Sequence, residues 1–435
     1  MGRRGTRTLA WSRVQVAWCR PGLPRYLLHA CPRFLSNDPC MAVTSTPATP
    51  DAVRDTVVAW RRQLHQAPEL SFQETRTSQF VADTLASFGG LEISRPTPTS
   101  VVARLVGSTN RPVLAMRADM DALPIHEAND HAFVSRTPGV MHACGHDGHT
   151  AMLLGAAQVL TARRREWRGE VRFIFQHAEE LPPGGARELV EAGVLDGVDL
   201  VIGAHLWLPL AFGEVSVKAG PLMASPDNFR IVIEGAGGHA AMPHVTVDSI
   251  AVAAQVVTNL QHVVSRGVDP LASVVVSVTR ISGGTAYNVI PGSVELEGTV
   301  RTFDPELRER VPQLMERVIA GVSAAHGARY RFEFTRGYHP VVNAQEAADL
   351  LRRAVTRALG PDALVEGIPT MGGEDFSAYQ QEVPGAFFFI GARNEAEGIV
   401  HPHHHERFDL DERALDYGTR IFVAAAEEYL VSDPR

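Results

Sequence analysis

From residue 51 onwards, short apolar runs alternate with longer segments in which apolar residues have helical spacing. The apolar runs at residues 112–118, 170–175 and 199–204 have the length of buried strands, whereas residues 149–163 have the spacing of a helix. Strands that alternate with helices in this way favour an α/β domain with a largely parallel central sheet.

The pattern changes in the middle of the chain and then returns. The elements predicted there follow the order strand, helix, strand, strand, helix, strand, at residues 228–234, 246–266, 272–281, 293–303, 305–326 and 329–335. This βαββαβ order is that of a ferredoxin-like α+β domain. We therefore expect an inserted domain at residues 223–337, between a first part of the α/β domain at 51–222 and a second part at 338–435.

Composition places the 435-residue chain among globular proteins, with 45% hydrophobic and 21% charged residues. The net charge of −8 argues against a nucleic-acid or anionic-membrane partner. No apolar run approaches the roughly 18 residues that a spanning helix needs. Chemistry on a small molecule is therefore the default expectation.

Residues 1–40 differ in composition from the rest of the chain. They contain seven arginines and one acidic residue, a net charge of +6, and three of the four cysteines. This leader lacks the features of a secretory signal, and is either an organelle transit peptide or upstream sequence preceding a true start at Met41, which we favour. We expect the leader to lie outside the fold. The remaining cysteine, Cys144, can form no disulfide within the folded body, which favours a reducing compartment, the cytoplasm.

Side chains of metal-ligand type cluster where predicted strands end or a helix begins, the edge at which open α/β sheets bind ligands. The clusters are Asp119 with Asp121, residues 144–149 with Cys144, His146, Asp147 and His149, Glu179 with Glu180, His205, and the histidines at 401 and 403–405. Each cluster alone is weak evidence for a metal site, because a histidine or an acidic residue at a strand end more often only caps the strand. Together they predict a site for two divalent ions, Zn²⁺, Mn²⁺, Co²⁺ or Ni²⁺.

Six segments resemble the zinc aminoacylase and carboxypeptidase family, specifically its amidohydrolase branch of hippurate hydrolases and auxin-conjugate hydrolases. They are MRADMDALP at 116–124, MHACGHDGH at 141–149, GAHLW at 203–207, GGHAAMPH at 237–244, NVIP at 288–291 and MGGEDF at 371–376. The resemblance runs in order from about residue 52 to residue 430. It implies a metal-binding α/β catalytic domain interrupted by a ferredoxin-like lid and dimerisation domain.

Carried over residue by residue, the resemblance implies the metal ligands and the general base. The implied ligands are Cys144, His146, Glu180, His205 and one C-terminal histidine, and the implied base is Glu179. Counting back from Phe408 selects His404, with His403 and His405 as alternatives.

Further residues are expected to support the reaction. The resemblance implies that His239 stabilises the oxyanion, often from the partner subunit. Asp121 and Asp147 are expected to orient the ligand histidines, although both could merely cap strand ends. Asn288 and Arg301 are candidates for binding a substrate carboxylate.

The function expected is a metal-dependent amidohydrolase, in which metal-activated water cleaves N-acyl amino acids or small dipeptide-like amides. We expect a homodimer formed through the lid domain. One alternative makes Cys144 a nucleophile with His146 as its base, but the surrounding acids disfavour a thiolate without metal. Another is a catalytically inactive ligand-binding protein on the same fold.

Overall fold

Residues 49–431 are described by a computed structural model of the chain. They belong to one compact unit, and the predicted leader, residues 1–40, lies outside the described residues. The helices are α1 (Pro50–Gln66), α2 (Thr75–Phe88), α3 (His146–Ala162), α4 (Gly185–Glu191), α5 (Ser249–Gly267), α6 (Pro305–Ala325), α7 (Gln345–Leu359), α8 (Ser377–Gln380) and α9 (Arg413–Leu430). The strands are β1 (Glu92–Ser94), β2 (Val101–Val106), β3 (Val113–Asp119), β4 (Glu170–Gln176), β5 (Leu200–Ala211), β6 (Val215–Ser216), β7 (Gly220–Met223), β8 (Ser225–Glu234), β9 (Gly238–His239), β10 (Val274–Gly283), β11 (Val289–Ile290), β12 (Ser293–Thr302), β13 (Arg329–Thr335), β14 (Val341–Asn343), β15 (Leu364–Val365) and β16 (Gly385–Arg393).

The larger sheet has the strand order β1-β2-β4-β3-β5-β16-β6-β15. Its four central strands are mutually parallel and almost fully buried, because helices α1, α3, α7 and α9 cover one face and α4 and α8 the other. The predicted α/β class is confirmed. The parallel arrangement holds in the centre of the sheet, whereas β1, β2 and β6 pair antiparallel near its edges.

Two boundaries differ from the sequence prediction in ways that affect the site. Helix α3 begins at His146, three residues before the predicted start, so His146 and Asp147 both lie in its first turn. Strand β5 continues past the predicted end at residue 204 to Ala211, because β16 runs beside it with Phe389 opposite His205. His205 therefore lies within a strand.

The second sheet is four-stranded and antiparallel, with the order β10-β12-β8-β13. Helices α5 and α6 pack on one face of it around a separate apolar core that includes Phe229, Ile231, Val256 and Ile319. We call this part of the molecule, residues 225–335, the small unit. Along the chain its main elements follow the order strand, helix, strand, strand, helix, strand.

The chain enters and leaves the small unit at one place. Strand β7, just before it, pairs antiparallel with β14, just after it. Among the described residues, no helix has the combination of length and apolar character that a membrane span requires.

Candidate metal centre

Four segments of the large sheet and its neighbouring helices meet at one end of the parallel strands. Cys144 lies two residues before α3, His146 is the first residue of that helix, and Glu180 follows the turn after β4. His205 comes from β5 and His404 from the loop before α9. The backbone N–H of His404 donates to the carbonyl of Ala143 at 2.8 Å, which fastens this loop beside Cys144.

The atoms of these residues that could bind a metal ion lie close together, and some of them have no hydrogen-bond partner. Cys144 Sγ lies 3.4 Å from His205 Nε2, and Glu180 Oε1 lies 3.1 Å from His404 Nε2 and 3.9 Å from His146 Nε2. Both His146 Nε2 and Glu180 Oε1 are buried, with no hydrogen-bond partner among the described residues. Buried polar atoms without partners are costly, so a cation that binds them all would remove the penalty.

The remaining ring nitrogens of two histidines are held by acceptors outside this group. His146 Nδ1 lies 3.1 Å from Asp121 Oδ1, and His205 Nδ1 donates to the Leu206 carbonyl at 2.7 Å. Metal-bound histidines usually have their second nitrogen fixed in this way. Nitrogen, sulfur and carboxylate donors suit a borderline divalent ion such as Zn²⁺, so the residues present fit a metal centre.

Excess negative charge surrounds these donors. Although burial opposes it, Asp119 and Asp121 raise the pKa of His146 to about 10. Burial, followed by Glu374 and Glu180, raises the pKa of Glu179 well above its usual range. Neighbouring buried carboxylates repel one another when all of them are ionised, and a bound cation offsets this repulsion. The arrangement therefore favours the binding of divalent cations.

The Cys144 thiol has the wrong surroundings for a nucleophile. Burial and the adjacent Glu180 and Glu179 raise its pKa well above the usual range. Reactive cysteines instead lie in electropositive surroundings that lower the thiol pKa.

The C-terminal histidines differ in what their rings contact. His403 Nε2 donates to the Leu206 carbonyl at 3.0 Å, and His405 Nδ1 accepts from Arg407 N–H at 2.9 Å. His401 stacks on His405, away from the centre. Only the His404 ring reaches Glu180 among these four, and its backbone is held at φ 65, in the left-handed region.

A cavity of about 420 Å³ opens above the converging donors. The large-sheet side contributes Trp207, Met223 and the loop at 372–374, and the small unit contributes Pro226, Asn228 and Arg301. Arg301 is half-buried, its Nε donates to Thr299 Oγ1 at 3.0 Å, and its guanidinium forms no ion pair with any described residue. An unpaired guanidinium facing a cavity can bind an anionic group.

Two predicted residues do not reach this cavity within one chain. His239 ends β9, and Asn288 directly precedes β11, the strand that pairs with β9; the Ala240 N–H donates to the Asn288 carbonyl at 3.1 Å. Both side chains are exposed to solvent. Neither is among the residues that line the cavity.

Asp147 requires a correction. It forms no hydrogen bond to the converging donors anywhere in residues 49–431. Its Oδ2 instead accepts from Arg61 Nε at 2.9 Å and lies 2.8 Å from His65 Nδ1, both on α1. Successive residues of a helix point about 100° apart, so His146 and Asp147 face different sides of α3. Asp121, by contrast, contacts His146 as expected.

Several residues that line the cavity were not predicted from the sequence, among them Glu374, Trp207 and Tyr338. Glu374 is buried in the wall, and burial together with Asp375 raises its pKa to about 8 despite the nearby Arg117. It belongs to the MGGEDF segment, which could have signalled it. Trp207, stacked on Phe389, likewise belongs to the GAHLW segment. Tyr338 carried no comparable signal because single aromatic residues are most often core residues.

Comparison with known proteins gives a consistent result. The family model described as "Peptidase family M20/M25/M40" matches residues 115–428. An N-acyl-L-amino acid amidohydrolase of Geobacillus stearothermophilus is 63% identical over 68% of this chain and 80% of its own length. An N-acetylcysteine deacetylase of Bacillus subtilis is 44% identical over 85% of this chain and 96% of its own.

Solved structures share the same architecture. A Bacillus subtilis protein described as a dinuclear metal-binding peptidase of the M20 family has a TM-score of 0.76 and 41% identity, covering 86% of this chain and 98% of its own. A putative aminohydrolase from methicillin-resistant Staphylococcus aureus has a TM-score of 0.81 and 34% identity, covering 88% of this chain and 98% of its own.

Proposed function

Because this chain belongs to peptidase family M20/M25/M40 and is a metal-dependent amidohydrolase, we propose that it hydrolyses N-acyl amino acids to a carboxylic acid and a free amino acid. The observation that carries this substrate class is the unpaired Arg301 guanidinium in the same cavity as the converging metal donors. An N-acyl amino acid has an amide to be cleaved and, one carbon away, a carboxylate for Arg301 to bind.

We assign two divalent ions to five ligands: Cys144, His146, Glu180, His205 and His404. Such ions, when bound, lower the pKa of a water molecule and polarise the amide carbonyl. The preference for His404 over His403 and His405 is supported by the engagement of the latter two with the backbone. Asp121 orients His146 through its Nδ1.

Glu179 is the proposed general base. It is buried in the lining of the cavity, and one of its carboxylate oxygens lies within 4.8 Å of ligand atoms of His146 and Glu180. Its carboxylate would take a proton from the attacking water and deliver it to the leaving nitrogen, which balances the hydrolysis.

The small unit is proposed to be a ferredoxin-like lid and dimerisation domain, with boundaries at residues 223 and 337. Its order of elements supports the ferredoxin-like assignment. One of its two edge strands, β10, has no neighbour beyond it in the described chain, and Ile281 on that strand and the nearby Tyr287 are exposed. An exposed edge with apolar side chains favours pairing with a second copy.

The position of His239 on the small unit suggests why a dimer would be needed for catalysis. Because His239 and Asn288 do not line the cavity of their own chain, we propose that they complete the site of the partner subunit, where His239 donates to the developing oxyanion. Light scattering should give the mass of a dimer at micromolar concentration, and a monomer that is fully active would contradict this part of the proposal. A cytoplasmic location is proposed on the single free cysteine of the described residues, Cys144.

A panel of substrates tests the function. N-acetyl, N-benzoyl and N-indoleacetyl amino acids are incubated with enzyme and Zn²⁺, Mn²⁺, Co²⁺ or Ni²⁺, and the free amino acid is measured. We expect hydrolysis with at least one ion and a much higher KM when the substrate carboxylate is converted to an amide. Absence of hydrolysis across the whole panel would reject the proposed substrate class.

A further inference from the structure

The backbone that carries Glu179 has an unfavourable local conformation. Ala178, directly before it, has φ 50, in the left-handed region that non-glycine residues rarely adopt. Such a conformation persists only where the surrounding structure holds it in place. The groups that stabilise this turn therefore determine the position of the backbone from which the Glu179 side chain extends.

Three side chains form hydrogen bonds with the backbone of residues 178–180. Glu74 Oε1 accepts from the Ala178 N–H at 2.8 Å, and Asp121 Oδ2 accepts from the Glu180 N–H at 3.0 Å. The third is Tyr338, whose hydroxyl donates to the Glu179 carbonyl at 2.8 Å. Glu74 and Asp121 belong to the large-sheet part of the molecule, whereas Tyr338 lies where the chain returns from the small unit.

The residue before Tyr338 is firmly attached to the small unit. The Gly337 N–H donates to Asp227 Oδ1 at 2.9 Å, and its carbonyl accepts from Arg308 Nη2 at 2.8 Å. Asp227 on β8 and Arg308 on α6 are themselves buried and paired through two hydrogen bonds, of 2.9 and 2.7 Å. A Cβ on Gly337 would lie 2.1 Å from the Pro226 carbonyl oxygen, so the chain here packs too closely against the small unit for any side chain.

We propose that Tyr338 is a positioning residue for the general base and that it makes the placement of Glu179 depend on the position of the small unit. The proposal rests on the role of Glu179 in the proposed function. The Tyr338 hydroxyl acts through the Glu179 carbonyl and not on the substrate. A displacement of the small unit would carry the attached Tyr338 with it, and the turn at 178–180 would lose one of its three side-chain contacts.

The first test removes a single oxygen atom. Tyr338→Phe keeps the ring in the cavity wall and deletes the hydrogen bond to Glu179. We expect kcat to fall about tenfold, as for the loss of one typical hydrogen bond, while KM stays within twofold and the metal content is unchanged. Tyr330→Phe is the matched control, because that tyrosine lies on β13 of the small unit and its hydroxyl is 3.5 Å from Glu316 at the surface.

A second readout needs neither metal nor substrate. Hydrogen exchange is measured on metal-free protein in a peptide that spans residues 178–180. Exchange should be faster in Tyr338→Phe than in the wild type and unchanged in Tyr330→Phe. A wild type that hydrolyses no N-acyl amino acid would reject the proposed function, and the exchange result would still decide whether Tyr338 holds this turn.

A double-mutant cycle tests the link to the small unit. Asp227→Asn weakens the attachment of Gly337, and Arg308→Lys serves the same purpose if that variant does not fold. If Tyr338 transmits the position of the small unit, the double variant with Tyr338→Phe should have a kcat no lower than that of the poorer single variant.

Three outcomes would overturn the proposal. Multiplicative losses in the cycle would show that the small unit does not act through Tyr338. A raised KM with unchanged kcat in Tyr338→Phe would mean that the hydroxyl binds substrate. Unchanged kcat and unchanged exchange in that variant would mean that the turn does not need the hydroxyl.

Discussion

At the scale of single residues, the different roles proposed for Glu179 and Glu180 depend on how one short turn places two adjacent, identical side chains. The Glu180 carboxylate lies near His404 and His146. For Glu179, burial and then the negative charge of Glu374 raise the pKa of the carboxyl group. The left-handed turn at Ala178 precedes both residues.

The two glutamates should separate in a paired experiment. Glu180→Ala should lower metal content and activity together, because it removes a ligand. Glu179→Gln should retain the metal and lose about 10²- to 10⁴-fold in kcat, the usual contribution of a general base. Elemental analysis beside kcat measures both. Full metal in Glu180→Ala together with metal loss in Glu179→Gln would reverse the assignment.

The sequence predicted which segments meet at the centre but not every side-chain direction. Residue type and position at strand ends and at a helix start were enough to propose a metal site, because the topology of a parallel sheet brings those ends together. The choice of Cys144, His146, Glu180 and His205 among the candidates came from the resemblance to a known family. The structure places Asp147 against Arg61 and His65 instead, because its direction depends on where α3 begins, which is three residues before the predicted start.

At the scale of secondary-structure elements, one arginine joins three parts of the chain beside the metal centre. Arg61 on α1 is fully buried and donates to Asp147 on α3 at 2.9 Å. It also contacts Asp409 at 2.9 Å and Glu412 at 3.3 Å, in the loop that follows His404. Arg61 thus connects the segments that carry two of the proposed ligands, His146 and His404.

Removal of Arg61 should destabilise the fold strongly. Arg61→Ala leaves the buried Asp147 carboxylate without its guanidinium partner, so we expect the free energy of unfolding to fall by about 3–5 kcal/mol. Arg62→Ala is the control, because Arg62 is half-exposed and its pairing with Glu412 should contribute about 1 kcal/mol or less. Urea denaturation of both variants measures the difference. Equal losses would show that burial of Arg61 has no special importance.

The same group of buried side chains predicts a pH dependence. Burial alone would raise the pKa of Glu127, but the hydrogen bond and charge of His65 lower it to about 2, against 4.5 for the ordinary side chain. A pKa that is lower in the folded state adds stability above about pH 4.5, and this stability is lost as the pH falls towards 2.

Glu127→Gln should therefore lower the melting temperature most at neutral pH, and the difference from the wild type should shrink between pH 4.5 and pH 2. Thermal unfolding at several pH values checks this. Glu191→Gln, at an exposed site on α4, should shift the melting temperature by a small and constant amount. A difference for Glu127→Gln that grows on acidification would contradict the prediction.

At the scale of the whole molecule, the order of elements was predictable and the assembly of the site was not. Period-two and helical apolar patterns identified the βαββαβ order of the small unit because its strands and helices each bury one face. The sequence could not show that Arg301 enters the cavity while His239 stays outside it. That depends on how the small unit packs on the large sheet, a long-range property that local patterns do not encode.

The central claim is that catalysis depends on a centre for two divalent ions, and a metal titration tests it most directly. The enzyme is stripped with a chelator and then supplied with increasing amounts of one divalent ion, while bound metal and hydrolysis of an N-acyl amino acid are measured together. The account predicts an inactive metal-free protein whose activity reaches its plateau at two ions per chain. Full activity in the metal-free protein would contradict it.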